Sequence, residues 1–365
     1  MSVALRVGLA GKRAGAFVAG LRSLPGVEVA ALCELDPAAL AATAGRYEIP
    51  GRFRSYDQML ASGIDAVVVG TPMQLHVPHA LAAMAAGLHV LSEVTAAVSL
   101  DQCRQLVAAV RQSGRVYMLA ENYCYSKPAM LIQEMARRGL FGELYYAEGA
   151  YLHDCHDIQY DAAGRPTWRV EWQVGRRGCT YGTHSLGPVL TWLDDRVAMV
   201  SCRGSGVHTE PRHVQDDLTV MLCQLARGGL ADVRLDMQSR RPHNMTHYVL
   251  QGTRGAYVSG RRQGEAGLVW IEGRSPAGAE WQPLDTYEEE LLPEEWRQHG
   301  AAATEAGHGG GDFFVARAFA RSVLEGTPAP IDVDRAMDFT LPGLISEQSI
   351  AAGGVPLAVP DSRDW

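Results

Sequence analysis

Short apolar runs separated by longer amphipathic stretches fill the first third of the chain. Residues 5–10, 27–33, 66–70, 89–92 and 116–119 are apolar runs of strand length, followed by Ala-rich or amphipathic segments such as 77–86 and 100–113. Strands buried on both faces and alternating with helices are what parallel βα units require. Residues 1–122 are therefore expected to form an α/β domain with a parallel sheet of the Rossmann type.

The pattern changes after Tyr125. A helical stretch at 128–138 precedes strand-like runs at 144–152, 198–204, 218–224, 230–237, 246–252 and 267–271, several joined by glycine-rich turns. Such runs predict an antiparallel sheet, interrupted by a helix over 181–193 and followed by helices at 312–324 and 334–351. Residues 123–365 are expected to be an α+β domain with an open, mainly antiparallel sheet, its final helices free to pack back on the first domain. The stretch 274–311 breaks the pattern, being polar, acidic at Glu288, Glu289, Glu290, Glu294 and Glu295, and glycine-rich at its end. It is expected to be a long surface loop, or a lid.

Composition narrows the function classes. The 365 residues are 47% apolar and 20% charged, which suits a large core and not a disordered chain. A net charge of -8 with scattered basic residues argues against nucleic-acid and anionic-membrane partners and leaves small molecules. Seven cysteines without a Cys-x-x-Cys pair suggest neither a disulfide framework nor a zinc knuckle. A strand begins almost at once, leaving no room for a signal peptide, and no run reaches the roughly 18 apolar residues of a spanning helix. A cytoplasmic location is expected. Of 33 basic residues only Lys12 and Lys127 are lysines, so lysine chemistry has two candidates at most.

The first strand runs into Val7-Gly8-Leu9-Ala10-Gly11-Lys12-Arg13-Ala14-Gly15. A glycine turn that opens a helix lets backbone N–H groups meet a pyrophosphate. Arg13 stands where a G-x-G-x-x-G pattern counted from Gly11 has its second glycine. Glu34 ends the second strand, 19 residues beyond Gly15, where a carboxylate can accept from both ribose hydroxyls and repel a 2′-phosphate. NAD is preferred over NADP, a preference that Arg13 softens. Thr71 and Pro72 end the next strand and Glu93 the one after, at the carboxyl edge where open parallel sheets bind ligands.

The runs Val67-Val68-Val69-Gly70-Thr71-Pro72 and Gly87-Leu88-His89-Val90-Leu91-Ser92-Glu93, with His76 between them, resemble the Gfo/Idh/MocA oxidoreductases, two-domain enzymes that oxidise or reduce sugars. In that family's ordinary dehydrogenases Lys-Pro follows the glutamate, the lysine acting at the sugar hydroxyl that is oxidised. Here Val94-Thr95 follow, and neither Lys12 nor Lys127 can take that place. Residues 93–97 (Glu-Val-Thr-Ala-Ala), 121–125 (Glu-Asn-Tyr-Cys-Tyr), 148–154 (Glu-Gly-Ala-Tyr-Leu-His-Asp) and 181–188 (Tyr-Gly-Thr-His-Ser-Leu-Gly-Pro) instead resemble glycoside hydrolase family 109 and related NAD-dependent glycosidases. That branch usually has proline where Thr95 and Gly182 stand, and glycine where Ser185 stands. Residues 308–313 (His-Gly-Gly-Gly-Asp-Phe) and 341–347 (Leu-Pro-Gly-Leu-Ile-Ser-Glu) resemble it too.

The resemblance implies bound NAD, with His76, Glu93 and Asn122 in its site, and a homo-oligomer, either dimer or tetramer. It also implies a route. NAD+ oxidises the sugar C3 hydroxyl, the ketone acidifies the C2 proton, the C1 aglycone is eliminated, water adds, and NADH returns the hydride. NAD-dependent enzymes are exceptions to the two-carboxylate rule for glycosidases.

Such a route needs weak acids and bases near C2 and C3, a task for histidine and tuned tyrosine. Tyr181 and His184, three apart, share one face if they start a helix. His184 is expected as the base at C3, with Tyr181 or Tyr125 at C2. His153, Asp154, Cys155, His156 and Asp157 are rich in metal-ligand types. A strand there would send alternate residues to opposite faces, so substrate contact by His153 or Asp154, with Glu93 and Lys12, is preferred and no metal is expected. Arg165, Arg169 and Trp168, in a stretch expected to be loop, can grip an anionic or acetylated sugar, or be ordinary surface residues. An N-acetylhexosaminide and an anionic sugar such as a sulfoquinovoside both remain open. A sugar dehydrogenase and a non-catalytic NAD-binding sensor are the alternatives.

Overall fold

The structure is a computed structural model that describes residues 5–238, 240–242, 245–262, 264–276 and 280–365. They gather into two compact units. The first holds the chain up to Ser126, His299–Met337 and Ser362–Trp365; the second holds Lys127–Gln298 and Asp338–Asp361.

In the first unit, strands β1 (Leu5–Ala10), β2 (Val27–Cys33), β3 (Gly51–Phe53), β4 (Ala66–Val69), β5 (His89–Ser92) and β6 (Tyr117–Leu119) form a parallel sheet in the order β3-β2-β1-β4-β5-β6. The strand order reverses between β1 and β4, which leaves a crevice at their carboxyl ends. Val67, Val68, Val69, Val90 and Leu91 are fully buried, as strands covered on both faces must be. Helix Pro37–Arg46 starts where Asp36 accepts from the amides of Ala38 and Ala39. The unit is completed from far along the chain, because helix Gly311–Glu325 packs on helix Val18–Arg22 and on the 122–125 turn. A Cβ on Gly20 would lie 2.1 Å from the Phe313 carbonyl oxygen, so only glycine permits that approach.

The second unit is built on β7 (Leu144–Leu152), β8 (Val197–Gly204), β9 (Thr219–Leu225), β10 (Leu230–Asp236), β11 (Thr246–Gly252), β12 (Gly255–Val258), β13 (Leu268–Ile271), β14 (Gln282–Pro283) and β15 (Leu357–Ala358). Among the described residues they order as β14-β13-β12-β11-β7-β10-β9-β8-β15, antiparallel except for β10 beside β7. In β9 buried and exposed residues alternate without a break, so one face is covered and the other, with Val220 and Leu222, is open. Helix Thr183–Leu193 lies on the covered face against β7, β10 and β11. Gly149 makes that fit, since a Cβ there would fall 2.6 Å from the Ser185 carbonyl oxygen.

Three expectations need correction. The acidic stretch 274–311 is not a loop: its described residues include β14 and helices Glu288–Leu291 and Glu294–Glu305, and 277–279 lie outside the described residues. Glu294 and Glu295 occupy the first turn of the longer helix, where negative charge is favourable, and Trp296 is buried beneath it. Residues 153–157 do not continue β7, which ends at Leu152; Cys155 caps the short helix His156–Gln159. Residues 165–169 are not all loop, since Trp168–Trp172 is a short helix. No helix of the described residues is long and apolar enough to cross a membrane.

Candidate functional site

The cofactor side of the chemistry lies in the first unit. β1 ends in Gly11, whose φ of 83° is the left-handed conformation that glycine accepts without strain. A Cβ on Gly11 would lie 2.6 Å from the Gly70 carbonyl oxygen, and one on Gly70 2.6 Å from the Ala14 nitrogen. The turn therefore sits directly on the end of β4, in the crevice between β1 and β4, and its backbone continues into the short helix Lys12–Phe17. Gly8 and Gly15 play a different part: added Cβ atoms would meet Ile64 and Tyr47, so both serve close packing.

Glu34 stands at the end of β2, and its carboxylate accepts from the Lys12 amide at 3.0 Å and the Asp36 amide at 3.2 Å. Thr71 and Pro72 follow β4 as expected. His76 is buried and braces two strand ends, with Nε2 2.9 Å from the Thr71 carbonyl and Nδ1 2.8 Å from that of Thr95. Burial lowers its pKa, while these carbonyls and Glu93 pull the other way. Glu93, nearly buried after β5, accepts from the Val94 amide at 3.1 Å and lies 2.7 Å from Arg13 Nε. The Asn122 amide nitrogen donates to Asp312, and its oxygen is buried without a hydrogen-bond partner. The left-handed glycine at the turn, the Glu34 carboxylate at its edge and the buried, unpartnered Asn122 oxygen are groups of the kind that could hold a nicotinamide dinucleotide.

Sequence reasoning passed over Asp312 and His308. Asp312 is fully buried and accepts from both terminal nitrogens of Arg13 at 2.9 Å, from Asn122 at 2.8 Å and from His308 Nδ1 at 2.7 Å. Burial pushes its carboxyl up, but the hydrogen bonds from His308 and Arg13 outweigh that and hold it far below the usual range. An ionised carboxylate can only accept, so the half-exposed His308 ring donates to it through Nδ1–H. The signal was the charged Asp312 in an apolar helix, with a histidine one turn before it.

The second unit holds the other group. At the end of β7 the Tyr151 hydroxyl and His153 Nδ1 share a 2.7 Å hydrogen bond. The Tyr151 ring lies 4.9 Å from that of His184 and 5.8 Å from that of Tyr181, and the last two meet edge-on at 5.4 Å. Tyr181 is not on the helix, which begins at Thr183 after Gly182; the turn brings it to His184 all the same. Tyr248 donates to the His184 carbonyl at 2.5 Å, and Thr183 and Ser185 bury hydroxyls without hydrogen-bond partners at the same helix end. Tyr151, Tyr248 and the two hydroxyls were missed because β11, β7 and the helix converge only in the fold.

The remaining candidates lie around this group or apart from it. Asp154 accepts from His156 Nδ1 at 2.5 Å. Burial works to raise its pKa, and hydrogen bonds from His156 together with the charge of Arg240 bring it down. Arg165 is exposed and spends its guanidinium on Asp161 at 2.8 Å. Arg169 lies over the Trp168 ring at 4.4 Å. Tyr125 closes the 122–125 turn of the first unit. Among the described residues no three histidine, cysteine or acidic side chains gather as a metal site.

The fold and turn define a dinucleotide-binding class, and residues 5–121 match the oxidoreductase family with an NAD-binding Rossmann fold. Residues 125–364 match the glycosyl hydrolase 109 C-terminal domain, and the chain belongs to glycosyl hydrolase family 109, a branch of the Gfo/Idh/MocA oxidoreductases. It is 31% identical to a family 109 protein of Solibacter usitatus, over 98% of this chain and 88% of that one. It is 26% identical to an alpha-N-acetylgalactosaminidase of Tannerella forsythia, over 96% and 84% respectively. Among solved structures it shares the fold of an oxidoreductase domain protein from Kribbella flavida (TM-score 0.83, 20% identity, 99% and 100% covered). The same holds for levoglucosan dehydrogenase with NADH and levoglucosan (TM-score 0.81, 20% identity, 98% and 99% covered).

Proposed function

We propose that this chain is an NAD-dependent glycosidase that cleaves an N-acetylhexosaminide by oxidation at C3, elimination across C1 and C2, addition of water and re-reduction. The carrying observation is the Tyr151, His153, Tyr181 and His184 cluster, four weak acid/base side chains within ring contact and without a lysine. NAD, when bound, supplies a reversible two-electron oxidation of the sugar with no net redox change.

His184 takes the C3 hydroxyl proton and returns it on re-reduction; Tyr248 holds its backbone carbonyl and Tyr151 lies against its ring. Tyr181 or Tyr125 removes the C2 proton once the neighbouring carbonyl has acidified it. His153 and Asp154 hold sugar hydroxyls, with Trp168 and Arg169 as the next contacts. The N-acetylhexosaminide rests on the alpha-N-acetylgalactosaminidase among the relatives.

The test is a panel of nitrophenyl glycosides, including the N-acetylgalactosaminide and the sulfoquinovoside, turned over in D2O with NAD+. Nitrophenol release with deuterium at C2 and no net NADH is expected for the N-acetylgalactosaminide. The same result for the sulfoquinovoside alone would replace the sugar. NADH accumulating over an intact glycoside would mean a dehydrogenase, and nucleotide binding without either product a sensor.

A further inference from the structure

Arg13 interrupts the glycine turn, and its side chain joins two distant segments of the first unit. Nε lies 2.7 Å from Glu93 Oε1, Nη1 and Nη2 each lie 2.9 Å from an oxygen of Asp312, and the guanidinium rests 5.1 Å from the Phe17 ring centroid. The planar fork thus donates two parallel hydrogen bonds to Asp312 and is ion-paired with Glu93, an arrangement an ammonium group cannot reproduce. Among the described residues, the Val94 amide and buried His76 also face Glu93, and Asn122 and His308 donate to Asp312. A guanidinium so occupied has no fork left to offer a phosphate.

We propose that Arg13 is a positioning residue of the reaction: it holds the Glu93 and Asp312 carboxylates in place, and through Asp312 it fixes the His308 ring. This rests on the glycosidase reading of the same site. The depressed carboxyl of Asp312 accords with the geometry, because burial alone would push it the other way. Asp312 also stands in the first turn of a 15-residue helix, where the helix N-terminus favours its charge.

The experiment uses the full chain with NAD+, comparing Arg13→Ala, Arg13→Lys, Asp312→Asn and the Arg13→Ala/Asp312→Asn pair. Arg13→Ala is expected to lower kcat about a hundredfold while the NAD+ dissociation constant, measured by calorimetry, stays within about threefold. Millimolar guanidinium should restore part of kcat and ammonium should not, and Arg13→Lys should stay impaired. The acid limb of the kcat profile should move to higher pH in Arg13→Ala, since the cation holding Asp312 down is gone. The paired variant should be no worse than Asp312→Asn alone. Loss of NAD+ affinity in step with kcat would make Arg13 a cofactor ligand, and loss without guanidinium rescue would make it structural; either overturns the proposal. If the wild-type chain binds NAD+ but cleaves no glycoside, the functional reading fails by itself. The clamp is then read from the Arg13 Nη–H resonances, which must be protected from solvent exchange and lose that protection in Asp312→Asn.

Discussion

His184, the proposed base, is buried beside two tyrosine rings. Its ring is held by Tyr151 and Tyr181 and its carbonyl by Tyr248, so the imidazole can turn little during proton transfer. His184→Ala is expected to reduce glycoside cleavage by at least about a hundredfold, with NAD+ binding unchanged, as read by nitrophenol release and calorimetry. Tyr248→Phe leaves one buried carbonyl without its donor and should cost about 1 kcal/mol in urea unfolding. Asp312 answers to pH. Its carboxyl is depressed in the folded chain, so the stability it contributes is present above the unfolded value near about 3.9 and is lost as pH falls through the folded one. The stability difference between wild type and Asp312→Asn should therefore be constant from neutral pH to about pH 5 and shrink below about pH 4, as measured by urea midpoints.

At the scale of elements, glycines decide how closely the pieces that carry the chemistry approach. Gly149 lets helix Thr183–Leu193 rest on β7, which is what sets Tyr151 beside His184. Gly149→Ala forces the helix outward and is expected to cost about 1–3 kcal/mol, with loss of turnover greater than the loss of folded protein at 25 °C. Gly11→Ala meets both a left-handed backbone and the Gly70 carbonyl, so NAD+ binding should weaken while the second unit keeps its cooperative melting. Elements were readable where one period dominated: the mainly apolar runs of β1 and β4, and the alternation of β9. Helix Glu294–Glu305 was not, because its charges mask the apolar positions of Trp296 and Ala303, which only packing reveals.

For the whole molecule, the cofactor turn and Glu34 predict a preference that a thermal shift can check. Saturating NAD+ should raise the melting temperature of the first unit through mass action, and NADP+ should do so less because Glu34 repels a 2′-phosphate. Glu34→Ala should narrow the gap between the two nucleotides. Equal shifts from both in the wild-type chain would remove Glu34 from the ribose site.

The class of fold, the cofactor turn, the carboxylate after β2 and the Tyr181 to Pro188 motif were all legible in the chain, because each depends on neighbours within a strand, a turn or a βα unit. The missing lysine was legible for the same reason, lying next to Glu93. What tertiary structure alone decided were pairings across long separations: Arg13 with Asp312, 299 residues on, and Tyr248 with His184, 64 residues back. Local pattern records which face of an element is apolar. It does not record which buried charge will find which donor, since that depends on the cost of desolvation and on the few partners that packing brings within hydrogen-bond reach.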